Sequence, residues 1–202
     1  PILSPCLRGT SEAEGILTIN SIIMKQEIRK AIRAEKKRIG KENLLQMSLP
    51  VTEQIEANDQ YRNANIVMLY HPLWDEVDVR PLFERALANG KHVILPTVKG
   101  DDIIPVEITT ETQWVVGDFD ILEPVAEPYD GSIDLVVVPG VAFDNNKNRL
   151  GRGKGYYDRF LSGYKGKCIG LAYSDWVKEG LPHGKFDRKG DIIVTEKDNY
   201  FC

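Results

Sequence analysis

The sequence predicts an α/β fold of three layers, with helices on both faces of a mostly parallel sheet. Three observations carry that prediction. Short, continuous apolar runs recur along the chain, as expected of strands buried on both faces. Segments with helical periodicity alternate with them, which is the pattern of βαβ units. The chain has 202 residues, 42% hydrophobic and 28% charged, enough for one globular domain with a sizeable core.

The elements follow in order. Lys25 to Ile39 reads as a helix, with Ile28, Ala31 and Ile32 as a short apolar face among many cations. Glu42 to Ala57 reads as a second helix, broken or kinked at Pro50. Ile66–Tyr70 is a buried strand. Val79 to Ala88 is an amphipathic helix stopped by Asn89-Gly90. His92–Pro96 is the next strand, and 103–110 and 113–122 are short strands or loops. Leu135–Val138 is a third buried strand. Tyr156 to Ser162 is helical, Lys167–Ala172 a strand, Asp175 to Glu179 a short helix, and Ile192–Val194 a final strand. The order is Rossmann-like. No repeat, low-complexity segment or composition break marks a second domain.

Bulk properties exclude several classes. A net charge of −4 argues against a nucleic-acid binder held by bulk charge. No apolar run approaches the length of a membrane span. Cys6, Cys168 and Cys202 form no C-x-x-C pair; Cys168, in an apolar string, is a buried small hydrophobe, which suits a reducing cytoplasm. His71, His92 and His183 lack zinc-ligand spacing. Residues 1–23 contain the apolar stretch Gly15–Ile23 but neither a basic n-region nor a clear cleavage site, so they make a poor signal peptide.

Chemistry concentrates after the third buried strand. Pro139-Gly140-Val141-Ala142-Phe143-Asp144 leads to Arg149-Leu150-Gly151-Arg152-Gly153-Lys154-Gly155-Tyr156-Tyr157-Asp158. Glycines at 151, 153 and 155 let backbone N–H groups approach an anion closely. Arg149, Arg152 and Lys154 can neutralise phosphate oxygens, and Asp144 or Asp158 offers magnesium a hard oxygen ligand. The string is neither of two common fingerprints. A Walker A loop needs Ser or Thr after Gly-Lys and a glycine five positions before; here Gly155 and Asn148 stand there. A G-x-G-x-x-G fingerprint needs a third glycine where Tyr156 sits. In open α/β sheets ligands bind beyond the carboxyl ends of the strands. The loop after strand 66–70, Tyr70-His71-Pro72-Leu73-Trp74-Asp75-Glu76-Val77-Asp78, reaches that same edge.

The run PGVAFDNNKNRLGRGKGYYDRFL resembles the signature of the 5-formyltetrahydrofolate cyclo-ligase (5,10-methenyltetrahydrofolate synthetase) family. A weaker resemblance extends from Met24 to about Glu196. It departs from the family pattern where a glycine between Asp144 and Arg149 gives way to Asn145-Asn146-Lys147-Asn148; asparagine tolerates left-handed angles. Met24-Lys25-Gln26 resembles a chain start of this family. Residues 1–23 are therefore expected to be an extension that need not be native, ahead of one cyclo-ligase-like domain over 24–202.

The resemblance implies site roles. The family's K-x-x-x-R helix contacts nucleotide phosphates, and its pattern falls on Lys25 and Arg29; Lys30, Lys36, Lys37 and Arg38 are read as a solvated basic face. Arg149, Leu150, Gly151, Arg152, Gly153, Lys154, Gly155, Tyr156 and Tyr157 match the nucleotide-binding stretch. Within it Arg152, Gly153, Lys154, Gly155 and Tyr156 also match the part facing the folate, which makes Arg152, Lys154 and Tyr156 the candidate catalytic residues. Glu76 matches a glutamate near the reactive formyl group. Trp74 and Tyr70 could stack on a pterin ring or pack in the core. Asp158 matches a magnesium ligand, against a helix N-terminal charge as its ordinary role. Asp187 matches the second ligand, with Asp191 as fallback, because Phe186 stands where many relatives have His.

The implied activity converts 5-formyltetrahydrofolate to 5,10-methenyltetrahydrofolate through a phosphorylated formyl group, with ATP and Mg²⁺ consumed or bound. The expected partner is a small reduced folate, with no nucleic acid or membrane, in a cytoplasmic monomer. A phosphosugar isomerase-like enzyme and a non-catalytic nucleotide- or folate-binding module are the alternatives.

Overall fold

The structure is a computed structural model and describes residues 9–117, 122–183, 188–197 and 199–200. Three helices open the chain: α1 (Gly9–Ile39), α2 (Lys41–Ala57) and α3 (Asp59–Asn63). Helix α1 starts well before Lys25, so the apolar stretch ahead of Met24 is helical, with Ile19, Ile22, Ile23 and Met24 exposed. Helix α2 continues across Pro50 where a break or kink is expected, and its buried stripe of Leu44, Ser48, Val51 and Ile55 keeps helical spacing through it.

A seven-stranded sheet forms the middle layer. Its members are β1 (Ile66–Met68), β2 (His92–Lys99), β3 (Asp102–Ile108), β6 (Leu135–Pro139), β9 (Lys167–Leu171), β11 (Ile192–Val194) and β12 (Asn199–Tyr200), in the order β12-β11-β9-β6-β1-β2-β3. The five strands from β11 to β2 are parallel, while β12 and β3 close the two edges antiparallel. The buried runs at 66–70, 92–96, 135–138, 167–172 and 192–194 are those five parallel strands. They read as unbroken apolar strings because helices cover both faces.

Alternation of side chains sorts the core into two halves. On one face Val67, Leu69, Val93, Leu95, Val137 and Ile169 pack against Ile32 of α1, Leu44, Val51 and Ile55 of α2, and Leu82 and Phe83 of α4 (Arg80–Ala88). On the other, Met68, Ile94, Val136, Val138, Cys168 and Ile193 meet Leu161 and Phe160 of α5 (Tyr156–Ser162). Cys168 is buried there, and burial pushes its thiol up to about 12.

Two smaller sheets are also present, the first beginning within 113–122, where short strands or loops are expected. β4 (Gln113–Val116) pairs antiparallel with β5 (Leu122–Val125). β7 (Ala142–Asp144) pairs antiparallel with β8 (Arg149–Leu150), so the strand-to-helix loop contains a hairpin of its own. Parallel to β7 runs β10 (Val177–Lys178), after a 3-10 turn at Ser174–Trp176. The short helix expected over Asp175 to Glu179 is thus only that turn. Burial of Trp176 and the pairing of Val177 with Phe143 pull the segment extended.

The hairpin turn also departs from expectation. The left-handed residue is Lys147, at φ 64°, rather than an asparagine. Asp144 makes this tolerable: its carboxylate accepts from the N–H groups of Asn146 and Asn148, the Asn148 Nδ2 and the N–H of Leu181, all at 2.8–2.9 Å. With both oxygens so engaged and 1% of its surface exposed, Asp144 is a structural residue rather than a magnesium ligand. Among the described residues no helix is long and apolar enough to cross a membrane.

Candidate active site

The strand order reverses direction about β1. From β1 the chain crosses through α4 to β2 on one side, while β6 takes the other. Loops leaving the carboxyl ends of β1 and β6 therefore diverge around a crevice, the usual position of a ligand in such sheets. The β6 loop is the glycine–arginine string, and the β1 loop carries Asp75 and Glu76.

Two glycines shape the first loop. Gly153 has φ +101° and Gly155 φ +75°, backbone that L side chains rarely adopt. Gly155 also caps α5. Helix α1 lies against this loop: Arg29 Nε donates to the Gly151 carbonyl at 2.7 Å, and its guanidinium sits 3.5 Å from where a Gly153 Cβ would be. Lys25, one turn earlier and half-buried, shares that helix face.

Arg152 joins the two loops. Its Nε donates to Glu76 Oε1 at 2.9 Å, and its Nη2 bonds Asp75 Oδ1. The second Glu76 oxygen accepts from Leu73 N–H at 3.0 Å. Both carboxylates are buried, whereas Arg152 is one-third exposed.

The β1 turn is itself clamped by four side chains, three of them from distant segments. Lys36 Nζ donates to the Asp75 carbonyl (2.8 Å), the Tyr173 hydroxyl to the Glu76 carbonyl (3.0 Å) and the Tyr70 hydroxyl to the Val77 carbonyl (2.9 Å). Ser48 Oγ accepts from Asp78 N–H at 2.9 Å. Tyr70 is thereby a core residue, not a stacking surface, and Trp74 packs half-buried against the same core. Lys36 corrects the expected solvated face: it is 3% exposed, 4.5 Å above the Trp176 ring and 5.5 Å from that of Tyr173. Burial lowers it to about 8, against the opposing pull of Asp75 and Glu76. The signal was present in the sequence. Lys25, Arg29, Ile32, Lys36 and Ile39 follow spacings of four and three, so Lys36 shares the buried stripe of Ile32.

Arg149 and Asp158 form a second pair, with Arg149 Nη2 2.5 Å from Asp158 Oδ1. Arg149 is buried and lies 5.6 Å from the Tyr157 ring. Its Nε and the Tyr157 hydroxyl are buried without a partner among the described residues, although such groups are normally bonded. Burial holds the Tyr157 hydroxyl protonated well above its ordinary range. Leu150 is fully buried in β8. Lys154 is exposed at the rim, and its carbonyl accepts from Arg159, whose guanidinium lies 5.4 Å from the half-exposed Tyr156 ring.

Asp187 lies outside the described residues. Asp191, its fallback, immediately precedes β11 at the opposite, amino-terminal end of the parallel strands, where its Oδ2 accepts from Cys168 N–H at 2.8 Å. A depression lined by Asp59, Asn63, Asp134 and Lys167 also opens at that edge, with Lys167 Nζ 4.0 Å from Asp191 Oδ1.

Fold and site together define an α/β enzyme with a cationic cradle at a sheet crossover. The model of the 5-formyltetrahydrofolate cyclo-ligase family matches residues 22–196, and the chain belongs to that family. Three similar proteins illustrate the match. The 5-formyltetrahydrofolate cyclo-ligase of Mus musculus is 27% identical over 89% of this chain and 96% of its own. That of Escherichia coli K12 is 30% identical over 65% and 78%. The NMR structure of Aquifex aeolicus 5,10-methenyltetrahydrofolate synthetase superposes with a TM-score of 0.79 at 38% identity, covering 88% of this chain and 92% of that one.

Proposed function

We propose that this chain converts 5-formyltetrahydrofolate to 5,10-methenyltetrahydrofolate with ATP hydrolysed to ADP and phosphate. The observation that carries the reading is the meeting of three separate segments at one sheet edge. Arg29 of α1 lies on the glycine loop, and Arg152 of that loop bonds Glu76 of the β1 turn. Family membership supports the folate, and the cationic loop supports the nucleotide.

The chemistry follows from the substrate. A formyl oxygen on N5 is a poor leaving group. Its attack on the γ-phosphorus of ATP expels ADP and leaves a phosphorylated formyl group; N10 then attacks the formyl carbon, phosphate departs with the C–O bond, and N10 loses its proton. No Ser, Cys or His nucleophile is needed. The protein positions the two substrates and stabilises charge on the transferring group. Lys25, Arg29, Arg149 and Lys154 supply cations to the polyphosphate, and the unpartnered Arg149 Nε and Tyr157 hydroxyl fit a ligand oxygen. Arg152, Tyr156 and Glu76 face the folate. In this arrangement Glu76 orients the pterin side of the substrate while Arg152 bridges the two substrates.

Among the described residues no group of three or more His, Cys, Asp or Glu gathers as a metal site. Asp158, partly exposed and bonded to Arg149 Nη2, offers one carboxylate; Mg²⁺ takes only one or two and completes its shell with phosphate oxygens and water. Asp158 would hold it, with Asp187 as the proposed second carboxylate. Mg²⁺ would neutralise charge on the transferring phosphoryl group.

We read residues 24–202 as one catalytic domain acting as a cytoplasmic monomer, with residues 1–23 an extension; the family match beginning at residue 22 supports that division. The deciding assay is ATP hydrolysis dependent on 5-formyltetrahydrofolate, with the methenyl product read by its ultraviolet absorbance. ATPase activity indifferent to the folate refutes the reading.

A further inference from the structure

Arg152 has two calls on it. It neutralises Asp75 and Glu76, which are buried, and in the cyclo-ligase reading it also serves the substrates. Breaking a buried ion pair leaves an uncompensated charge, which is strongly unfavourable. When Arg152 engages a ligand, another cation must remain with those carboxylates.

We propose that Lys36 is that cation, a positioning residue that holds the Asp75–Glu76 turn in place while Arg152 turns to the substrates. The proposal rests on the cyclo-ligase reading of Arg152 and Glu76. The two cations flank the carboxylates differently. Arg152 sits on a loop between Gly151 and Gly153 and is one-third exposed, so it is the partner a ligand can reach. Lys36 is immobilised: its ammonium donates to the Asp75 carbonyl, lies over Trp176, and lines the narrow crevice between the ends of β6 and β9. Trp176 is itself pinned, with Nε1 donating to Glu35 Oε2 at 2.9 Å. The groups facing Lys36 are Asp75 and Glu76 from the β1 turn, Arg152 from the glycine loop, Glu35 from its own helix, and the Tyr173 hydroxyl after β9. Carboxylates outnumber the other cation, so the charge of Lys36 is needed for balance. Burial brings the loss of that charge down to about pH 8, within reach of a rate assay.

The test compares wild type, Lys36→Arg and Lys36→Met across pH, measuring kcat/KM for 5-formyltetrahydrofolate and KM for ATP. Wild type should lose kcat/KM by up to about tenfold per pH unit above the Lys36 titration. Lys36→Arg keeps its charge, and its alkaline limb should move up by about one pH unit or more. Lys36→Met should lose about tenfold or more in kcat/KM for the folate at pH 7, a share of the buried-pair energy, with KM for ATP nearly unchanged. Coincident limbs for Lys36→Arg and wild type overturn the inference, as does a folded Lys36→Met with wild-type folate kinetics. If Lys36→Met does not fold, the arginine comparison decides. A wild type without folate-dependent turnover overturns the cyclo-ligase reading, and the inference with it; an active wild type with coincident limbs overturns the inference alone.

Discussion

Replacing Arg152 by alanine separates stability from turnover. The substitution removes the guanidinium that bonds both Asp75 and Glu76, whose side chains are 5% and 8% exposed. Removing one partner of a fully buried pair costs about 3–5 kcal/mol. Here Arg152 is 34% exposed and Lys36 remains behind the same carboxylates, so roughly half of that, about 2 kcal/mol, is the expected cost. In a chain of this size 1 kcal/mol shifts Tm by about 2–4 °C, so Tm should fall about 4–8 °C. A domain stable by about 5–15 kcal/mol stays folded. Turnover should fall far more, by about 10²-fold or greater, because on the cyclo-ligase reading a cation that serves the transferring group is gone. A thermal melt and the absorbance of methenyl product measure the two effects on one sample. An unchanged Tm refutes the energetic assignment of the Asp75–Glu76–Arg152 cluster, and undiminished product refutes the role of Arg152.

Further outcomes follow from other parts of the site. Gly155→Ala forces an L residue to φ +75° with its Cβ 2.7 Å from Arg159 Nη1. The arginine tip can move aside, so the cost is the backbone term of about 1–2 kcal/mol, with weaker nucleotide binding by calorimetry. Asp158→Asn should raise the Mg²⁺ concentration for half-maximal rate by about tenfold or more, read from a magnesium titration. Stability should also depend on alkaline pH. Lys36 has a folded pKa of about 8 against an ordinary 10.5, so between those values the unfolded chain binds more protons and stability rises with pH. The gain is up to about 3 kcal/mol. Above about pH 10 the buried tyrosines reverse the trend, because Tyr157 and Tyr173 hold their protons only when folded. Denaturant titrations should show the rise in wild type and not in Lys36→Arg, whose cation does not titrate in that window.

The parallel strands were legible in the sequence because burial on both faces leaves an unbroken apolar string, as at Leu135–Val138. The small strands were not. β7, β8 and β10 are two or three residues long and are held by Asp144 and by burial of Trp176, which are contacts from far along the chain. The glycine loop was visible by composition, since Gly153 and Gly155 are needed for left-handed backbone. Lys36 was missed because its residue type argues for solvent, while its spacing from Ile32 places it on the buried stripe. Spacing won because Asp75, Glu76 and two aromatic rings make a place for a cation. The Ser48 and Tyr173 clamps leave no local trace, since each joins segments distant in the chain.

Helix α1 supplies Arg29 to the glycine loop, Lys36 to the β1 turn and Glu35 to Trp176. A ligand that draws on Arg29 therefore binds only the state in which this helix is docked. By linkage, the same ligand must suppress undocking of the helix by RT ln(1 + [L]/Kd), about 2.7 kcal/mol at a hundredfold excess over Kd. Amide hydrogens between Arg29 and Ile39 should then exchange about a hundredfold more slowly with nucleotide present. The first helix of the chain is thus a reporter of site occupancy, readable without any turnover.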